Sequence, residues 1–453
     1  MPNPKKPEAN RPLPDVEIFY DARDKGYWFK PADRFLNLSS SDLKMHLKTK
    51  GFQENDYRNE FKGLDSMQHV MIKAQIENVV DYAGPLAGHK SGLYKTTGGT
   101  FILVTRDNPV LYEDYPKKLK LAQPRWFISF LQELLPGEQW FYLAHWLRLA
   151  LESLRNGDFR QGQVCVFAGE SGCGKSLLQN IITEILGGRC ADPFPYMMGE
   201  KFNYALAGAE HWQIEDPAST TDPRTRRFFG ARLKECNYNR DFSINQKGKD
   251  ALLLQLFRRT TISVNLEPEN LAVIPPLDDS IKDKIFMFKC DVVKNAFKEY
   301  LDEQGSVDRL RLWNWVTSNI REIRCWLLHG LPRLAPGLQR GREGISAWQH
   351  PELMSELQNL SQELRLLTLI DEVVFHDAET NADTFTGKAI EIEKLLRTSN
   401  FQFEAEKILK YPGAAGAYLG RLAKDLPDRI SKSVKDGYTT WTIKPPVKQQ
   451  TTE

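Results

Sequence analysis

Apolar residues recur along this chain with two periods, and the places where the period changes mark out its elements. Between Pro124 and Leu154 they return every three or four positions, in WFISFLQELL and then WFYLAHWLRLALESL, which predicts two packed helices. Trp140 and Trp146 lie on that stripe and read as helix core rather than as a base-stacking platform. VCVFAG, Val164 to Gly169, is apolar without a break, as a parallel strand covered on both faces requires. Leu178, Ile181, Ile182 and Ile185 then restore the helical period. HWQIE alternates at Trp212 and Ile214, and TTISV is a β-branched run, so two more strands are expected.

The flanks are less regular. IFYDARDKGYWF reads as short strands about a turn, SSSDLKMHLKTKGF as a serine-capped helix stopped by Gly51, and FILVT, Phe101 to Thr105, as a short buried strand. Asp21 and Asp24 fall in the first turn and read as solvated acids in preference to metal ligands. Toward the other end, QELRLLTLIDEVVF, TGKAIEIEKLLRTS and GAAGAYLGRLAKDLPDRI are helical, with a short helix before the last. SKSVKDGYTTWTI then reads as a hairpin with Gly437 at its turn and Tyr438, Thr440 and Trp441 in the returning strand. A helix followed by such a hairpin is the winged-helix pattern.

Composition narrows the class. A chain of 453 residues calls for several cores, and its 41% hydrophobic and 26% charged residues are those of a globular protein. No apolar run reaches membrane-helix length, and MPNPKKPEANRPLP lacks the apolar stretch of a signal peptide, so a flexible tail and a cytoplasmic location are expected. The net charge of +2 leaves any basic surface to be local. The six cysteines contain no C-x-x-C pair, which fits a reducing compartment and disfavours a zinc ribbon. The eight histidines include neither H-x-H nor H-E-x-x-H, which argues against a two-histidine nuclease and a zinc hydrolase.

The chemistry concentrates in GESGCGKS, which is Gly169, Glu170, Ser171, Gly172, Cys173, Gly174, Lys175 and Ser176. It fits G-x-x-x-x-G-K-[ST], the loop whose backbone N–H groups turn inward to hold phosphates at a helix N-terminus. Lys175 is placed to reach the β and γ phosphates of ATP, and Ser176 to offer a hydroxyl to Mg²⁺. Cys173 reads as incidental to the loop, with sensitivity to thiol reagents as the alternative. About 40 residues on, Glu215 and Asp216 end a short strand, where one carboxylate (Glu215) can hold hydrated Mg²⁺ and its neighbour can polarise the lytic water. Asn265, ending TTISV, can donate to the γ-phosphate and orient water.

A phosphate loop, an acidic pair and a strand-ending asparagine in this order resemble a superfamily 3 helicase, a hexameric AAA+ motor of small viruses and mobile elements. The similarity is best from Val164 to Lys289 and is to the phage and plasmid branch related to poxvirus-type primase-helicases. It implies that TRRFFGARLKECNYNRDFSINQKGKD supplies a DNA-gripping element, with Lys234, Lys247 and Lys249 at the phosphates. It also implies a trans-acting arginine near LAVIPPLDDSIKDKIFMFKC, where Lys284 stands instead. Lysine brings the charge without the planar fork, and Arg226, Arg227, Arg258 and Arg259 are unranked substitutes.

The resulting expectation is an α/β AAA+ P-loop core, a parallel sheet with flanking helices, preceded by an α+β region and a helical collar and followed by a winged helix. The boundaries are a tail at 1–18, an N-terminal region at 19–123, the collar at 124–160, the core at 161–292, a helical extension at 293–360, the winged helix at 361–446 and a tail at 447–453. Residues 384–453 carry 12 Lys and Arg against 8 Asp and Glu, so Arg421, Lys424, Arg429, Lys432 and Lys435 are candidate DNA contacts, with Gly416 and Gly420 letting the helix approach. The expected partners are single-stranded or forked DNA, further copies of the chain in a hexameric ring, and a primase or initiator. Two alternatives stand beside this motor: a P-loop switch of defence or assembly that binds nucleic acid without unwinding it, and a small-molecule kinase.

Overall fold

The computed structural model describes residues 16–57, 63–96, 98–111, 123–217, 223–271, 273–275, 281–332, 338–341, 344–359, 362–375, 384–409, 411–435 and 438–446. Among these, five strands form a wholly parallel central sheet in the order Ile285–Cys290, Val164–Gly169, Arg259–Val264, His211–Glu215, Cys190–Ala191. Every residue of Val164–Gly169 and of Arg259–Val264 is buried, which is why both read as unbroken apolar or β-branched runs.

Alternate residues of the phosphate-loop strand enter two different cores. Cys165 and Phe167 point to a layer made by helices Arg125–Leu134, Gln139–Asn156, Lys175–Ile185 and Arg309–Cys325, with Phe286 and Phe288 beside them. Val164, Val166 and Ala168 point to the other face, packed by Trp212, Ile262, Phe229 and Leu254. Tyr82, Leu86, Ile102 and Val104 belong to that second core, so the small sheet of Tyr82–Gly84, Phe101–Val104 and Gly92–Lys95 closes the far side of the central one. Trp146 is 1% exposed in the helical layer, the core position its spacing indicates.

An outer N-terminal sheet holds Leu36–Leu38, Gly26–Phe29, Ile18–Asp21 and Val79–Val80. Helix Ser40–Thr49 starts where Ser39 accepts the Asp42 N–H, and the chain leaves it through Gly51 at φ +92°. The turn between its first two strands corrects an expectation. Asp21 is 2% exposed, and its carboxylate accepts the N–H groups of Arg23 and Asp24 at 2.9 and 3.2 Å. Asp24 pairs with Lys249, so neither acid is a free solvated group.

The segment 225–250, expected from the resemblance to supply one gripping element, divides in two. Pro223–Tyr238 is a helix, and only Asp241–Ile244 and Leu252–Gln255 form a hairpin. Past helix Gln362–Ile370, a C-terminal body sets strand Phe385–Gly387, which the sequence pattern missed, beside Tyr438–Ile443 and Ile430–Lys435. Helices Ala389–Thr398, Gln402–Ile408 and Ala414–Asp425 pack on that sheet around Trp441, Leu419 and Ile392. Gly437 lies outside the described residues.

Candidate active site

The phosphate loop leaves the C-terminal end of Val164–Gly169 and enters helix Lys175–Ile185. Gly172 and Gly174 take φ +78° and +123°, backbone that an L side chain resists. Gly169 is needed for closeness, since a Cβ there would lie 2.8 Å from the carbonyl oxygen of Cys290. Lys175 is 6% exposed, and its ammonium donates to the carbonyls of Gly169 and Glu170, both at 2.8 Å, and to Asn265 Oδ1 at 3.1 Å. All three of its donors are engaged at the point where the loop and the strand Arg259–Val264 meet.

That meeting follows from strand order. The Asn265 strand lies between the loop strand and the acidic strand, so the three ends open on one edge of the sheet. There a cleft of about 610 Å³ is lined by Ser171, Gly172, Gly174, Lys175, Ser176, Asp216 and Asn265. Asp216 takes φ +36°, an uncommon backbone for a non-glycine residue, and its N–H donates to Ser263 O at 3.2 Å. Glu215 is exposed, accepts a hydrogen bond from the Gln213 amide and stands outside the cleft lining. Gly169 and Cys173 lie behind the loop.

A buried polar layer sets the acidic strand against the phosphate-loop helix. His211, wholly buried, spans Thr183 Oγ1 at 2.6 Å and Thr261 Oγ1 at 2.8 Å, and Gln179 donates to Ile214 O at 3.2 Å and to Thr261 Oγ1 at 2.9 Å. Burial pushes the His211 imidazole down to about 3, so it is neutral at physiological pH.

The opposite wall of the cleft carries Phe297, Val307, Leu312 and Trp313, together with Arg309. Glu133 shapes it by accepting the N–H groups of Lys294, Asn295 and Ala296 at 2.9, 2.7 and 3.0 Å. Burial raises that carboxyl, but the N–H donors together outweigh it and hold the group below its usual range. Arg309 was missed in the sequence. Its one local signal is Asp308, which caps helix Arg309–Cys325 by accepting the Arg311 N–H and so places Arg309 at the helix mouth.

The residues considered for a trans finger separate. Lys284 precedes Ile285, the first residue of a strand whose last, Cys290, pairs with Gly169. That puts it roughly 17–20 Å from its own phosphate loop, beyond reach in cis. Its ammonium lies 5.1 Å from the ring centre of Tyr238. Arg258 is 6% exposed, burial brings its guanidinium down to about 10, and it donates to the carbonyls of Cys236, Leu256 and Asn239. Arg259 donates to Arg160 O and Arg258 O at 2.9 Å. Both are interior fasteners, which corrects their candidacy. The side chains of Arg226 and Arg227 lie outside the described residues.

The basic residues separate as well. Lys247 is exposed at the hairpin turn, whereas Lys249, 11% exposed, is ion-paired with Asp24 while Arg23 donates to Asp250 O. Lys234 is half-buried on the preceding helix. In the C-terminal body Lys424, Lys432 and Lys435 are exposed, and Arg421 pairs with Glu363 while remaining 64% exposed. Arg429 is instead 15% exposed and paired with Asp371, itself 2% exposed, so it fastens the fold. Gly416 and Gly420 turn their bare faces to Ala389 and Trp441 inside the body, which corrects their reading as an approach surface.

The fold has relatives among solved structures. The A form apo structure of the NrS-1 C-terminal region matches over 95% of this chain and 97% of that one, with TM-score 0.52 and 14% identity. An apo structure of the NrS-1 C-terminal region (305–718) matches over 95% and 96%, with TM-score 0.52 and 15% identity. At such identity the likeness establishes a shared fold. The active helicase Cch of SCCmec type IV aligns at TM-score 0.28 and 9% identity over 90% of this chain and 70% of that one, too low to carry an argument. No family model matches the sequence, and no curated protein does. Among the described residues no helix is long and apolar enough to cross a membrane.

Proposed function

We propose that the chain is an ATP-dependent DNA motor of superfamily 3 type, a helicase or translocase acting in replication of a phage, plasmid or other mobile element. The observation that supports it most is the convergence of Lys175, Asn265 and Asp216 on one cleft whose far wall carries Phe297, Trp313 and Arg309. The aromatic wall suits a base, and the loop suits a triphosphate. Triphosphate oxygens replace the carbonyl acceptors of Lys175, Asn265 orients water on the γ-phosphate, and Arg309 adds positive charge from the same chain.

The site also suits Mg²⁺ arriving with ATP. Ser176 and Asp216 offer hard oxygen donors on the cleft wall, and Asp216 takes the place first given to Glu215. Among the described residues no group of three or more metal-binding side chains occurs, but an ion carried by a nucleotide draws its remaining ligands from phosphate and water. When bound, it neutralises charge on the β and γ phosphates. Glu215 is left as the candidate base for water.

Lys284, out of reach of its own site, serves a neighbouring copy in a ring, which we take as hexameric. Lys247 at the hairpin tip grips the DNA backbone. The C-terminal body, with its three-stranded sheet and exposed lysines, acts as a winged helix on DNA.

The test is ATP hydrolysis with and without single-stranded DNA, together with strand displacement from a forked duplex, for the protein and Lys175→Ala. Stimulation and displacement, both lost in the variant, are expected. Hydrolysis that DNA leaves unchanged, without displacement, overturns the motor and favours the P-loop switch, a reading supported by the tie of Lys249 to Asp24.

A further inference from the structure

Two thiols meet behind the phosphate loop. Cys173 is the fifth residue of GESGCGKS, and Cys290 ends the strand that pairs with Gly169 where the loop begins. The two are 1% and 3% exposed. The sulfur of Cys173 and the Cβ of Cys290 lie 2.9 and 2.8 Å from the point where a Cβ on Gly169 would stand, so the absent side chain leaves the space they share. The thiols are hydrogen-bonded to each other, and the Lys175 ammonium is 4.0 Å from the Cys173 sulfur.

These surroundings make the two sulfurs unequal. The hydrogen bond from Cys290, aided by Lys175 and opposed by burial, brings the Cys173 thiol down to about 7. Burial drives Cys290 well above the usual thiol range. Burial raises Cys165 well above the usual thiol range and Cys236 up to about 12, and Cys190 is exposed. Ser171 and Gly172, just before Cys173, are exposed, so a small opening of the loop admits a small reagent.

We propose that Cys173 and Cys290 are a modification site, a thiol pair that a peroxide oxidises to an intrachain disulfide, pinning the loop to the neighbouring strand and closing it to triphosphate. The Cys173 thiolate attacks one oxygen of hydrogen peroxide, the O–O bond breaks, and hydroxide leaves a sulfenic acid on Cys173. The Cys290 sulfur then attacks that sulfur, the S–O bond breaks, and water leaves. The thiols together give up two electrons and two protons, and the peroxide becomes two waters.

The gating half of this rests on the loop being the triphosphate site; the disulfide half does not. The full chain is treated with hydrogen peroxide, its remaining thiols are alkylated, and its peptides are mapped, while a fluorescent ATP analogue is titrated before and after. A Cys173–Cys290 disulfide is expected, with affinity for the analogue lowered about tenfold or more and restored by dithiothreitol. Cys290→Ser, and Cys290→Ala should serine not be tolerated, keeps its affinity before peroxide and forms no disulfide after it, Cys173 stopping at the sulfenic acid in the peptide map. Recovery of Cys173 and Cys290 as free thiols after Cys190 has been oxidised overturns the pair. A mapped disulfide with unchanged affinity overturns the gating. Reduced protein that does not bind the analogue overturns the phosphate-site reading, and the peptide map still decides the pair.

Discussion

Lys175 on the phosphate loop donates a 3.1 Å hydrogen bond to the side-chain oxygen of Asn265, which ends a different strand 90 residues away. The residue that would hold the phosphates and the residue that would sense their hydrolysis are thus in contact, and a change at one is felt at the other.

Their separate removal should part binding from turnover. Lys175→Ala should lose nucleotide binding outright, read by titration of a fluorescent ATP analogue. Asn265→Ala should bind within a few-fold of the parent yet hydrolyse about 10²–10³ times more slowly, as expected when one preorganised polar group is removed from a transition state. Equal loss of binding in both would mean that Asn265 only positions the lysine.

The two hairpin lysines should behave differently. Lys247→Ala should weaken single-stranded DNA binding for every sequence and lower the slope of log affinity against log salt by about 1. Lys249→Ala should leave that slope alone and lower thermal stability, because its partner is Asp24. A salt slope that falls for Lys249→Ala and not for Lys247→Ala would reverse the assignment.

His211 makes stability fall with acid. Its folded value is about 3, against about 6.5 for an exposed imidazole, so between those limits the unfolded chain takes up a proton that the fold refuses. The contribution is complete above about pH 7 and is lost progressively as pH falls toward 3, reaching about 2 kcal/mol at pH 5. Urea denaturation at pH 7.5 and pH 5 measures it, and His211→Gln should flatten the difference.

In the C-terminal body, Arg429→Ala should destabilise by about 3–5 kcal/mol, since it removes the guanidinium from the buried Asp371. Lys432→Ala, at an exposed position, should leave stability within about 0.5 kcal/mol and weaken DNA binding alone.

What the sequence revealed follows what a linear pattern can hold. Val164–Gly169 and Arg259–Val264 were legible because burial on both faces leaves no polar position, and GESGCGKS because its glycines serve the local backbone. Helix Pro223–Tyr238 was overlooked although Phe229, Leu233 and Cys236 recur at four and three, because the charges between them drew the reading toward a DNA element. The pairing of Lys249 with Asp24, and of Arg429 with Asp371, joins residues 225 and 58 positions apart, and no period records such a meeting. Arg309 escaped for the same reason: its significance is the wall it faces.

The division of Val164–Gly169 between two cores bears on how the protein can be taken apart. Cutting at Pro124 would spare every motif yet strip Tyr82, Leu86, Ile102 and Val104 from the core that Val166 and Ile262 share with them. The segment that carries the phosphate loop therefore has no autonomous minimal fragment. Residues Tyr82, Leu86, Ile102 and Val104 are part of the foundation of the central sheet, and expression should succeed or fail with them.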